Sequence, residues 1–499
     1  MRQRQQGPAR VATGILGLDV VLNGGFLRGG MYLLLGGPGT GKTVLANQLC
    51  FNRAASGERA VCVSLLAESH DRLLEHLRSF EFFNPQVVGR ELLYLGSFTT
   101  LESEGPDGLR DVLQRTVRKH RANVLVIDSL ATVSELSKSP LALKKFLRQL
   151  ATFCAISKCT CLLLTSAEEA IPQAEASIVD GIVKLSRVVR GVREGRELEV
   201  IKFRGSAHLN GRHAFFIDER GTTVHPRTEA LLGNSLSFPR PERERVSLGV
   251  PRLDEMLRGG VFSGSTTLLM GGPGTGKTTL GLHFLAAGAE QGECGIYFGF
   301  NESPPRLIAK AEGIGLAFGE YVGSGRVELV WQPAVEHSVD ALAERLLGSV
   351  YRAQARRVFI DGVGGFRQGA ALPERMPLFF TSLSIRLREY GVTTLVSEET
   401  SFYETDLDLS DLSLSASCEN ILHLRYTELN QQLRRLLAIL KQRESDFDPS
   451  LREFHITPKG MGVGGSVARE RTGRPRQAPR APTQKGKRRR TSPRKRSKP

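Results

Sequence analysis

Two glycine-rich segments carry residues of the type and spacing that bind phosphate: Gly36–Thr43 and Gly271–Thr278 both read GGPGTGKT and fit G-x-x-x-x-G-K-[ST]. Glycines let backbone N–H groups wrap an anion, and a helix N-terminus behind them adds partial positive charge. The lysine then reaches the outer phosphates, and the threonine hydroxyl faces a divalent cation. The expected contacts are Gly36, Gly37, Gly39, Thr40, Gly41, Lys42 and Thr43 in the first segment. In the second they are Gly271, Gly272, Gly274, Thr275, Gly276, Lys277, Thr278 and the adjoining Thr279. A glycine-rich turn that binds nothing is the competing reading. Against it, both segments lie between an apolar run and an amphipathic one, the strand-loop-helix setting the chemistry requires.

A metal-assisted phosphate site also needs an acid at the end of a neighbouring apolar strand. Asp128, ending NVLVID, and Asp361, ending RVFID, meet that description, so Thr43, Asp128, Thr278 and Asp361 are the expected Mg2+ residues. Each aspartate could instead cap the helix that follows. Hydrolysis further requires a group that orients or deprotonates the attacking water. Glu68, after AVCVSLLA, and Glu302, after CGIYFGFN, occupy corresponding positions and are the catalytic candidates. The alternative is an ordinary surface acid in the first turn of the next helix.

These groups are positioned by a duplicated framework. Residues 13–49 realign without a gap on residues 248–284 at a constant offset of 235, so that Asp19 falls on Asp254 and Lys42 on Lys277. Within each copy, short apolar runs alternate with helical-length segments, which predicts an α/β domain with a mostly parallel sheet flanked by helices. Later runs such as DGIVKLSRVV, ELEVIKFR and NILHLRYTE read as antiparallel strands added at one edge. The boundaries expected are 10–233 and 246–462, parted by the polar stretch Asn234–Arg245, with residues 463–499 as a disordered tail.

The net charge of +16 is concentrated in that tail, where residues 469–499 hold fourteen Lys or Arg against one acid and leave the rest of the chain near +3. Such a segment suits nucleic acid or another polyanion, or serves only to solubilise. Seven cysteines without C-x-x-C spacing fit reduced thiols in a cytoplasmic protein better than a metal centre. No apolar run is long enough to span a membrane. The early segment VATGILGLDVVL recurs in the second copy, where no signal can act, and so reads as folded structure.

The order of P-loop, strand-end glutamate, strand-end aspartate and a lysine-bearing strand, in two tandem copies, resembles the KaiC family of RecA-like circadian-clock ATPases over residues 10–462. The resemblance implies two tandem RecA-like domains that bind ATP at subunit interfaces of a homo-hexamer. It also implies slow hydrolysis in the first copy and serine/threonine autokinase activity in the second, acting in signalling or timing with regulatory protein partners. By the same resemblance, IKFRGSAH nominates Lys202, Arg204 and His208 as cations reaching a neighbouring subunit's nucleotide. In the second copy Lys441 and Arg443 take that role, Arg435 falls where the family has another phosphate-facing arginine, and LSLSASCENILHLRY places the phospho-acceptor at Ser415. Two departures stand out: Ala67 and Asn301 replace the first of two adjacent glutamates, and Ala416 replaces the second hydroxyl of the acceptor pair. A nucleic-acid-dependent RecA-type ATPase and a non-catalytic ATP-binding scaffold are the alternative readings.

Overall fold

The computed structural model describes residues 8–65, 70–166, 173–190, 193–234, 244–333, 338–370, 372–400, 414–429 and 431–466. The basic tail and most of the Asn234–Arg245 stretch lie outside them.

Each half of the chain builds a nine-stranded sheet. In the first half the strands are β1 Met31–Leu35, β2 Ala60–Ser64, β3 Leu92–Gly96, β4 Val124–Asp128, β5 Thr160–Thr165, β6 Gly181–Arg190, β7 Arg193–Phe203, β8 Arg212–Asp218 and β9 Gly221–His225. Their spatial order is β9-β8-β7-β6-β1-β5-β4-β2-β3. The second half repeats it with β10 Thr266–Gly271, β11 Gly295–Gly299, β12 Val327–Trp331, β13 Arg357–Asp361, β14 Thr393–Glu399, β15 Asn420–Leu429, β16 Gln432–Gln442, β17 Arg452–Thr457 and β18 Gly460–Ser466. Strands from β3 through β6 in the spatial order are parallel, and β7, β8 and β9 extend the sheet antiparallel. The architecture is thus two tandem RecA-like α/β domains.

The run DGIVKLSRVV is parallel to β1, not antiparallel as its clean alternation suggested, and so is its counterpart to β10. Alternation reports which faces are covered, and these strands stand where the sheet passes from fully buried to half-exposed. Strands β3 and β12, not anticipated from sequence, occupy the parallel edge and are only partly buried.

The central strands β1 and β10 are buried throughout. One face of β1 packs on helix α1, Lys42–Ala55, through Leu45, Ala46, Leu49 and Cys50. The other meets the helices Phe98–His120 and Pro140–Ser157 through Leu109, Leu113, Phe146 and Leu150. Helix α2, Lys277–Glu290, repeats the first arrangement in the second half. The segment read as folded rather than as a leader supplies the short pairing Arg10–Val11 with Phe26–Leu27 and the buried Leu18 and Val21.

A polar cluster joins the two halves. Arg375 donates to Glu229 Oε1 and Oε2 (both 2.6 Å) and to Asp340 Oδ1 (2.6 Å) and Oδ2 (2.9 Å). Thr228 adds its N–H (2.9 Å) and hydroxyl (3.0 Å) to the same aspartate. Burial pushes the Glu229 carboxyl upward, but the Arg375 hydrogen bonds and charge override it and hold the group below its ordinary value.

Candidate nucleotide site

Each glycine-rich loop follows the carboxyl end of a central parallel strand and feeds the first turn of a helix. Open α/β sheets bind ligands there. Two glycines per loop are demanded by geometry. A Cβ on Gly36 would stand 2.5 Å from the Leu185 carbonyl oxygen, and one on Gly271 would collide with that of Leu424. Gly41 and Gly276, preceding the helices, have φ of 99° and 107°, where a side chain would be strained. Thr40 donates to the Gly37 carbonyl (2.9 Å) and Thr275 to that of Gly272 (2.8 Å), closing each loop on itself.

The lysines sit inside these loops. Lys42 Nζ donates to the carbonyls of Gly36 (2.6 Å) and Gly37 (2.8 Å), and Lys277 Nζ to those of Gly271 (2.7 Å) and Gly272 (2.8 Å). Burial lowers the pKa of both; Asp128 opposes this at Lys42, and Glu399 and Asp361 oppose it at Lys277. Beside them, Thr43 donates to Asp128 Oδ2 at 3.0 Å, and Thr278 to Asp361 Oδ2 at 2.9 Å. The structure therefore joins each threonine to the aspartate read from sequence, although they are some eighty residues apart. These hydroxyl and carboxylate oxygens are the hard donors that Mg2+ takes. Ser129 caps the next helix through Ala131 N–H, so the first aspartate is not needed as the cap.

The two sites differ in what surrounds the aspartate. Burial raises the Asp128 pKa, with Thr43 and Lys42 opposing. It borders a cavity of about 90 Å3 lined in part by Thr43, Asn47, Cys62, His70 and Tyr94. Tyr94 donates to Asn47 Oδ1 (2.7 Å), and Asn47 to the Thr43 carbonyl (2.7 Å). In the second site Tyr297 stands in the place of Cys62 and donates to Asp361 Oδ2 at 2.8 Å, while Ser397, in the place of Leu164, donates to Oδ1 at 2.9 Å. Burial raises the Tyr297 pKa further than do Asp361 and Glu302, keeping the hydroxyl protonated.

Of the two catalytic candidates, Glu68 lies outside the described residues. Glu302 is half-buried beside Asn301 and forms an ion pair with Lys310. Its charge adds, after burial and Asp361, to the raised pKa of Tyr297.

The nominated cations fall into two groups. Lys202 pairs with Ile182, beside Leu33, so it lies about 10 Å below its own loop along the strands. Its ammonium donates to the carbonyls of Ala176 and Val179 (both 2.6 Å), and Arg204 donates to Ser177 O (3.3 Å). Lys441 likewise donates to the carbonyls of Ser415 and Cys418 (both 2.7 Å), and Arg443 to that of Ala416 (3.3 Å). His208 is half-buried, edge-on to Phe203 with ring centroids 6.3 Å apart. None of these belongs to its own half's phosphate loop. Arg435 is different: it pairs with Tyr426, stacks its guanidinium 5.3 Å from that ring, and Tyr426 donates to Gly274 O at 2.7 Å. It therefore belongs to the loop of its own half. Ser415 lies at the far end of the second sheet from that loop, and its neighbour Ser417 is 2.6 Å from the Thr381 hydroxyl.

Several residues at the sites had not been anticipated: Asn47, Tyr94, Tyr297, Ser397, Glu399 and Tyr426. The available signal was the repeat itself, since the offset that aligns the loops also sets Cys62 against Tyr297.

A family model described as "ATPase: KaiC" matches residues 11–229 and again residues 246–467. The chain belongs to the KaiC family. The circadian clock oscillator protein KaiC of Picosynechococcus is similar at 26% identity over 486 residues, covering 92% of this chain and 90% of that protein. KaiC 1 of Synechocystis is 27% identical over 483 residues, covering 93% and 90%. KaiC of Synechococcus elongatus is 26% identical over 474 residues, covering 92% and 90%. Membership in this family of ATPases implies ATP binding. Among the described residues, no helix is long and apolar enough to cross a membrane.

Proposed function

We propose that both halves bind Mg·ATP and hydrolyse it, with nucleotide held between subunits of a homo-hexameric double ring. The observation that carries this reading is the repeated triad of lysine, threonine and strand-end aspartate, set in the same loop geometry twice. The Lys42 and Lys277 ammonium groups would exchange loop carbonyls for phosphate oxygens. Exposed loop N–H groups would take the rest of the charge. Bound Mg2+ would supply electrostatic stabilisation of the outer phosphates. Glu302, and Glu68 in the first half, would orient the attacking water and receive its proton; Lys310 must release Glu302 for that step.

The hexamer is supported by the position of Lys202, Arg204 and His208, and of Lys441 and Arg443, at the end of each sheet away from its own loop. Cations there lie away from their own loop, and in this reading they turn from the carbonyls they hold to a nucleotide held by another subunit, stabilising charge on the transferred phosphoryl group. Ser415 shares that end, so transfer to its hydroxyl would likewise draw on the neighbour's ATP. Serine autokinase activity, regulatory partners and a timing role follow from the family alone and belong to this proposal. Released phosphate and intact phosphoprotein mass, measured after incubation with Mg·ATP, test both activities. Neither product forming would leave an ATP-binding scaffold; phosphate incorporation persisting in Ser415→Ala would remove the acceptor assignment.

A second reading rests on the tail charge: ATP turnover driven by nucleic acid. Stimulation by single-stranded DNA that is lost on removal of residues 463–499 would favour it in this form, and stimulation that survives the removal would place the nucleic-acid contact in the two ATPase halves; no stimulation in either case would leave the first reading.

A further inference from the structure

The two aspartates expected to face the metal have unequal capacity left. An ionised carboxylate has about four acceptor positions. At Asp361, three protein hydroxyls already point at the two oxygens: Thr278 and Tyr297 at Oδ2, Ser397 at Oδ1. At the corresponding positions of the first site stand Cys62 and Leu164, whose side chains offer no such hydroxyl. Asp128 accepts from Thr43 and faces a cavity of about 90 Å3, with room for several waters. Tyr297 sets a phenol ring into the second site from the position where Cys62 leaves that space open, and its hydroxyl ends on the carboxylate.

Magnesium at such a site would keep several of its waters, and both the ion and those waters would call on the carboxylate oxygens. Hydroxyls that occupy the carboxylate compete with those waters. We propose that Tyr297 is a specificity-determining residue that weakens divalent-cation binding at the second nucleotide site relative to the first, with Ser397 as its lesser partner. The two halves thereby answer to different Mg2+ concentrations: the first is loaded with metal over a wide range, and the second only when the metal displaces the phenol hydroxyl. This inference rests on the reading of both sites as ATP sites.

Trp331 is the only tryptophan, lies in the second half, and donates its indole N–H to Phe300 O (3.2 Å), the residue that follows the strand carrying Tyr297. Energy transfer from it to a mant-labelled ATP therefore reports the second site, and Lys42→Ala in the full chain silences the first. Titrating Mg2+ against this signal should give a midpoint about tenfold lower in Lys42→Ala/Tyr297→Phe than in Lys42→Ala, equivalent to ~1.4 kcal/mol. Tyr297→Phe keeps the ring and removes only the hydroxyl. Ser397→Ala should move the midpoint in the same direction by less. A midpoint unchanged within about twofold, or raised, in Tyr297→Phe overturns the inference while leaving ATP binding intact. Absence of energy transfer at every Mg2+ concentration, including none, overturns instead the reading of the second site as an ATP site.

Discussion

Arg375→Met tests how the two halves are held together. The substitution keeps much of the side-chain stem but removes the donors to Glu229 and Asp340, four contacts between 2.6 and 2.9 Å. Asp340 is only 3% exposed, so water cannot take over for the lost guanidinium. Leaving one charge of a buried pair unpartnered costs about 3–5 kcal/mol. Asp340 retains two donors from Thr228, so the lower end, ~3 kcal/mol, is the expectation. Equilibrium denaturation followed by Trp331 fluorescence reads the effect in the second half. The pH dependence supplies a second check with a definite sign. Glu229 has a depressed pKa in the folded protein, so its contribution is present above the unfolded value and is lost as pH falls through the folded one. The gap between wild type and Arg375→Met should therefore narrow below pH ~4. A loss under ~1 kcal/mol at pH 7, with no narrowing in acid, would mean that the cluster behaves as a solvated surface pair and refute the reasoning.

Three further outcomes follow from the sites. Asp128→Asn should raise the melting temperature of nucleotide-free protein at pH 7. Burial lifts the Asp128 pKa, so its stabilising contribution is present below the unfolded value and lost as pH rises through the folded one. The same variant should lose Mg2+-dependent nucleotide binding, and calorimetry with and without metal checks both halves of the statement. Gly36→Ala should destabilise the first half by about 1–3 kcal/mol, because its Cβ would meet Leu185 O at 2.5 Å and force the loop to move; a neutral change in thermal unfolding would count against the close approach. Glu302→Gln, in a Lys42→Ala background, should cut steady-state phosphate release by about 10²–10⁴-fold while leaving nucleotide affinity within a few-fold; unchanged turnover would move the role to another group.

What could be read from the sequence was chemistry carried by local spacing. The loop from Gly36 to Thr43 needs only a strand before it and a helix after it, and both are encoded between Met31 and Ala55. Asp128 and Asp361 were legible because an acid ending a β-branched run has few other uses. Strand direction was less legible: Gly181–Arg190 alternates like an antiparallel strand, yet its neighbour across the sheet makes it parallel. Tyr297 was missed because its hydroxyl finds Asp361 sixty-four residues away, a contact no local pattern reports. Lys202 and Lys441 were nominated by resemblance alone. The carbonyls they hold, and their distance from their own loops, depend on the register of strands that sequence does not give.

The central claim, two ATP sites of one design in each chain, is tested most directly by nucleotide stoichiometry. The account predicts two nucleotides bound per chain in the presence of Mg2+, one in Lys42→Ala, one in Lys277→Ala and none in the double variant, with secondary structure by circular dichroism unchanged. Two nucleotides retained by the double variant, or a wild-type chain that binds only one nucleotide and loses it with either lysine, would contradict it.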